Sequence, residues 1–306
     1  MIFSTITLGK EMALRGWLCT ENGLGIELPK VSDVVDFCTC SFMCNYNEKV
    51  WVFPSDLTNT YKNDYRSVLV TLRDTTSSYT FKVIKADGTE INLIDNTYGE
   101  LFDVGFNTTQ PLKAGYRIDW VLIYNAFGAG NYQIEVTQTD FGTTVTALSH
   151  VFTVQVWNEL ASNMSVKVEF VQMGAILNGE DYRGMEWSNM VRINGKFGSL
   201  APEYEINRLV DSNQRDIDIQ TTKVNKYTLE CALLPDFIGD MFTDNIVLTD
   251  SIFISVNDIF NYKQYRRLEV TFDGSIDAGD DYSTNNRKLF KVSLKDKATL
   301  QKRNFL

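Results

Sequence analysis

Apolar and polar residues alternate in short runs along most of the chain, at 67–73, 79–84, 117–124, 132–137 and 150–157. A period of two residues sends successive side chains to opposite faces of a strand, so each run predicts a half-buried β-strand. Turn residues punctuate the runs. Asp87-Gly88 lies between two apolar stretches, and Asp-Gly supplies the positive φ angles of a tight hairpin. Residues 127–130, Phe-Gly-Ala-Gly, separate a strand at 120–124 from one at 132–136, and 113–115, Lys-Ala-Gly, precede a strand that opens at Tyr116. Short strands at this spacing predict an antiparallel sandwich.

The pattern changes after Trp157, where a polar stretch at 158–163 interrupts it. This places a boundary between an N-terminal domain, 1–160, and a C-terminal domain, 161–306. Strands are expected in the second part at 166–173, 189–193, 226–234, 251–256, 266–272 and 288–294, with a turn at Asn194-Gly195. Pro235-Asp236 opens the one helix expected, near 236–246. Asp236 suits its N-cap, and Phe237 with Met241 and Ile238 with Phe242 form an apolar stripe four residues apart. The polar segment 205–222 predicts either an excursion loop or a solvated strand pair. Its length marks it as an arm that orders against a neighbouring subunit. The fold class expected is therefore mainly β, with two antiparallel β-sandwich-like domains and one short helix in the second.

Composition narrows the function classes. Of 306 residues, 44% are hydrophobic, which is ample for packed cores and excludes wholesale disorder. The net charge of -10 argues against a nucleic-acid binder, which needs a basic surface. The charge is uneven: residues 287–303 hold seven Lys or Arg against Asp296 alone, which leaves -16 on the remainder. A basic end on an acidic body suits docking onto a neighbour. The N-terminus lacks the basic start of a secretory signal, and no apolar run reaches the ~18 residues of a membrane span, so no membrane partner is expected.

Candidate chemistry is sparse. His150 is the only histidine, which leaves a catalytic triad one possible base. Cys38, Cys40 and Cys44 share a strand face but lack a fourth metal ligand, so they read as core thiols. Asp273, Asp277, Asp280 and Asp281 crowd one segment that reads as a polar hairpin, with a loop calcium site as the alternative. Trp187, flanked by loop residues, is either an interface anchor or a plug in the sandwich. No catalytic residue and no cofactor are expected.

A resemblance adds to this reading. Trp187-x4-Arg192-x2-Gly195-x-Phe197-Gly198, then Pro202, Tyr227-Thr-Leu-Glu230, Leu234-Pro235 and Gln264-Tyr265-Arg266 form a layout similar to virion structural proteins of tailed bacteriophages that infect Bacteroidota, components of neck, tail or baseplate. It covers roughly residues 166–306. The resemblance implies a non-enzymatic subunit of the virion, made in the host cytoplasm, that forms a ring or hexamer with copies of itself and with other virion structural proteins. It points to Trp187 and Arg192 as interface residues. The charged segments add Arg208, Arg215, Lys297, Lys302 and Arg303. Two other readings stand beside it: a carbohydrate-binding or adhesive β module, and a carboxylate glycosidase.

Overall fold

The computed structural model describes residues 18–19, 47–52, 64–72, 78–104, 112–140, 143–149, 151–157, 165–172, 176–177, 180–181, 187–200, 202–210, 213–214, 216–235, 246–247, 249–257, 265–278, 287–297 and 300–303. The protein is mainly β. In chain order its first strands are β1 (Leu18–Cys19), β2 (Asn47–Val52), β3 (Tyr65–Leu72), β4 (Ser78–Lys85), β5 (Glu90–Asn92), β6 (Gly99–Val104), β7 (Leu112–Asp119), β8 (Gly130–Asp140), β9 (Thr143–Ser149) and β10 (Val151–Val156), with helix α1 (Trp120–Phe127) between β7 and β8. There follow β11 (Ser165–Gln172), β12 (Ile176–Leu177), β13 (Glu180–Asp181), β14 (Trp187–Ser199), β15 (Glu203–Val210), β16 (Asp216–Val224), β17 (Lys226–Pro235), β18 (Ser251–Asn257), β19 (Tyr265–Ala278), β20 (Arg287–Asp296) and β21 (Leu300–Arg303).

Strands up to Val156 build two sheets, one of seven strands around β8 and one of three in the order β3-β7-β6. Their apolar faces meet in one core, where Val83, Ile134, Val136 and Phe152 from the larger sheet pack with Val68, Tyr116 and Ile118 from the smaller. The β4–β5 hairpin forms at the expected Asp87-Gly88, with the Gly88 amide donating to the Lys85 carbonyl at 2.8 Å. Not every pair is antiparallel, however. β2 runs parallel to β10, with Val50 opposite Val154.

Residues 120–127, expected as a strand and a turn, are instead helix α1. The Asp119 carboxylate caps it by accepting the Val121 amide at 2.8 Å, and Gly128, at a φ of 79°, ends it. The run 120–124 has too few residues to separate the two periods, because Trp120, Val121 and Ile123 are buried on a helix as readily as on a strand. The helix expected near 236–246 falls on residues outside those described, except for a helical 246–247. Helix α1, in the first part of the chain, is an element that the alternation did not anticipate.

Strands from Ser165 onward close a six-stranded antiparallel barrel, β11-β14-β17-β20-β19-β18, in place of the expected second sandwich. Alternate residues fill it, among them Val168, Val191, Leu229, Ile254, Val292 and Leu294, all at 0% exposure. A sandwich and a barrel share the same alternation, and only the β18–β11 pairing, Ile254 opposite Val168, closes the ring. β14 runs straight through the expected turn at Asn194-Gly195. Its first eight residues pair with β11, and from Gly195 it pairs with β17. A Cβ on Gly195 would collide with the Glu230 carbonyl across that pairing, whereas one on Gly198 would meet nothing within 4 Å.

Gly195→Ala is therefore expected to lower stability by about 1–3 kcal/mol, and Gly198→Ala to leave it nearly unchanged, read as urea unfolding midpoints.

Candidate functional site

Two features stand out from the packed cores: a buried ionic joint and a bare hairpin. The joint lies where β2 and β3 meet the barrel strand β14. Arg192 grips Asp64 in a bidentate pair, Nε to Oδ2 at 2.7 Å and Nη2 to Oδ1 at 2.6 Å, and its Nη1 reaches Ser165 Oγ at 3.2 Å. Asp64 also accepts the Trp51 amide at 2.8 Å. Glu48 pairs with Arg66 and accepts the Arg192 amide at 3.1 Å. All four charged side chains are at most 4% exposed. Arg66 also lies over the Phe152 ring, 5.2 Å from its centre, which couples the joint to the sandwich core.

Polar side chains extend the joint along β3. The Asn189 carboxamide accepts the Ser67 amide at 3.2 Å and donates to the Ser67 carbonyl at 3.1 Å, so it occupies both backbone groups as a neighbouring strand would. Arg117 donates to Ser188 Oγ at 2.9 Å, and the Tyr65 amide reaches Met190 Sδ at 3.4 Å. Tyr65 lies beneath Lys167, whose Nζ is 5.4 Å from the ring centre and 3.6 Å from Glu169 Oε1. Glu169 Oε2 accepts Arg267 Nε at 3.0 Å. Burial pushes the Lys167 ammonium below its ordinary value, against the pull of Glu169 and Asp64. Burial, with Glu169 adding to it, pushes the Tyr65 phenol above its own.

The bare hairpin is β15–β16. It pairs from Glu203 opposite Val224 to Val210 opposite Asp216, with one register shift between Asn207 and Arg208. β21 adds a third strand along β16, with Lys302 opposite Thr221 and Arg303 opposite Gln220, giving the order β15-β16-β21. On β15 every described side chain, 203–208 and 210, is exposed. Since these alternate between the two faces, neither face of β15 is covered among the described residues. Tyr204 at 57%, Ile206 at 41% and Val210 at 64% share one of them.

The residues singled out in the sequence take varied places. Arg192 is buried inside the chain on Asp64, so its expected part in an interface between subunits is corrected: its cation is neutralised and shielded from any partner. Arg208 pairs across the ribbon with Asp218 at 2.8 Å and stays exposed. Lys297 holds Glu269 at 2.8 Å and also bonds Ser251, and this contact draws the Glu269 carboxyl below its ordinary value. Trp187 opens β14 opposite Gln172, and Lys302 and Arg303 lie in β21. Arg215, Cys38, Cys40, Cys44 and His150 fall outside the described residues, as do Asp280 and Asp281. Asp273, on β19, is held by Lys226 of β17 and Lys295 of β20, each at 3.1 Å. Sequence reasoning missed Glu48, Asp64, Arg66, Lys167, Glu169 and Asn189, because no spacing marks residues that meet only when two parts of a chain pack.

No protein-family model matches this sequence, and no curated protein matches it at a significant level.

Two outcomes follow from the joint. Asp64→Asn leaves Arg192 buried without a counter-charge and is expected to destabilise by about 3–5 kcal/mol in urea unfolding. The pair Asp64→Leu with Arg192→Met is expected to cost less than Asp64→Asn alone. Lys167 has a lowered folded pKa, so between that value and its unfolded value near 10.5 the unfolded chain binds more protons. Its contribution to stability therefore rises with pH across that window. The stability difference between Lys167→Met and the wild type should shrink as pH increases toward 10.

Proposed function

We propose that this protein is a non-catalytic assembly subunit of a tailed-phage particle, a component of neck, tail or baseplate that acts in the virion after synthesis in the host cytoplasm. Its partners are copies of itself and other virion structural proteins. One observation supports the assembly part above all. The β15–β16 ribbon is exposed on both faces of β15, with Tyr204, Ile206 and Val210 in the open. A small sheet whose edge strand is uncovered on both faces gains little from burial, and exposed apolar residues in a row favour a docking surface. The phage assignment is supported by the resemblance carried by Arg192, Gly195, Phe197, Tyr227 and Leu234-Pro235.

The mechanism is mechanical. A closed barrel has no free edge, so the barrel offers its neighbours a rigid wall, while the hairpin beside it offers main-chain groups and apolar side chains. The buried joint holds the sandwich against the barrel through β14, the strand that leads directly to β15. A neighbour's pull on the ribbon is thus borne by packed structure.

Native mass spectrometry of the full chain at micromolar concentration is expected to show a single closed oligomer. Tyr204→Ser with Ile206→Ser should reduce it to protomers with unchanged far-UV circular dichroism. A wild-type chain that stays monomeric up to hundreds of micromolar would overturn the proposal.

A further inference from the structure

The three-stranded sheet has two outer edges, and they differ in charge. β15 carries Glu203 and Glu205 at its start, and its cation, Arg208, is already matched by Asp218. Glu203 reaches back to Lys226 at 2.8 Å, whereas Glu205 has no side-chain partner among the described residues. β21 reads Leu-Gln-Lys-Arg and carries Lys302 and Arg303 with no acid. One edge is therefore acidic at its start and the other basic at its end.

The directions also fit. β15 and β21 each run antiparallel to β16, so they are parallel to each other. A second copy carried sideways across the sheet brings its β15 alongside the first copy's β21, again in parallel. The row of N–H and C=O groups on each edge then finds a partner, and Glu205 of one copy falls opposite Gln301 of the next, one residue from Lys302 and two from Arg303. The alternative of two β15 edges meeting about a two-fold axis leaves both basic β21 edges open. Opposite charges on neighbouring strands stabilise a sheet, and like charges oppose it.

From these edges we infer that copies of this chain join head to tail, the β21 edge of each continuing into the β15 edge of the next as one sheet. The inference rests on the assembly reading above and specifies the contact. Such a contact is heterologous: it uses two different surfaces of each copy, so it closes into a ring when the rotation per copy divides a full turn.

The test is a set of full-length charge reversals followed by analytical ultracentrifugation. Glu205→Lys alone, and Lys302→Glu with Arg303→Glu alone, should each weaken association by about tenfold or more, with unchanged circular dichroism and Tm. Mixing the two variants should restore the oligomer. In an alternating ring each normal edge meets a normal edge, and each reversed edge meets its reversed complement. A wild type that assembles while the β21 variant associates equally well, or a mixture that does not recover, would overturn this inference and leave the assembly reading standing. A wild type that does not associate at all would overturn both.

Discussion

A strand at the edge of a sheet carries a row of N–H and C=O groups with nothing to bond, and often a face with nothing to cover it. The protein disposes of these rows in different ways. The barrel removes them by closing, with β18 bonded back onto β11. The sandwich covers its apolar faces with one another and with α1. Along β3, the outer strand of the small sheet, the Asn189 carboxamide occupies both backbone groups of Ser67 in place of a strand. Among the described residues, only the β15-β16-β21 sheet keeps exposed side chains on both faces of an edge strand.

The joint between β3 and β14 has a second consequence. Arg192 and Asp64 gain little net stability as a pair, because removing two charges from water is costly. What they supply is specificity. Any other packing of the two parts strands a charge in a dry interface, so the energetic penalty attaches to misplacement. Arg66, held between Glu48 and the Phe152 ring, works in the same way. For the assembly role we propose, this rigidity matters, since small rotations inside each copy would accumulate around a ring.

Much of this architecture was legible in the chain. Alternation marked most strands, and Asp87-Gly88 marked a hairpin that forms where expected. The parts that were not legible share a physical cause. Barrel closure depends on Val168 meeting Ile254, a contact across more than eighty residues that leaves no local trace. The run Val166-Lys-Val-Glu-Phe170 has the alternation of a strand with one wet face, yet Lys167 and Glu169 are buried, because Tyr65 and its neighbours cover that face. Helix α1 was hidden by its shortness, while its cap, Asp119, and its stop, Gly128, were in plain view. Of the candidate site, the polar character of 205–222 was visible and its form as a ribbon was one of two open options. The joint was invisible, apart from Arg192 in a different role.

The central claim is that a neighbouring copy completes the β15 edge. Hydrogen exchange of the amides at 203–210, compared between dilute and assembled protein, tests it most directly. The account predicts rapid exchange there in the protomer, with protection appearing only on assembly while the barrel strands stay protected throughout. Protection of 203–210 in the isolated protomer equal to that of the barrel strands, unchanged on concentration, would contradict it.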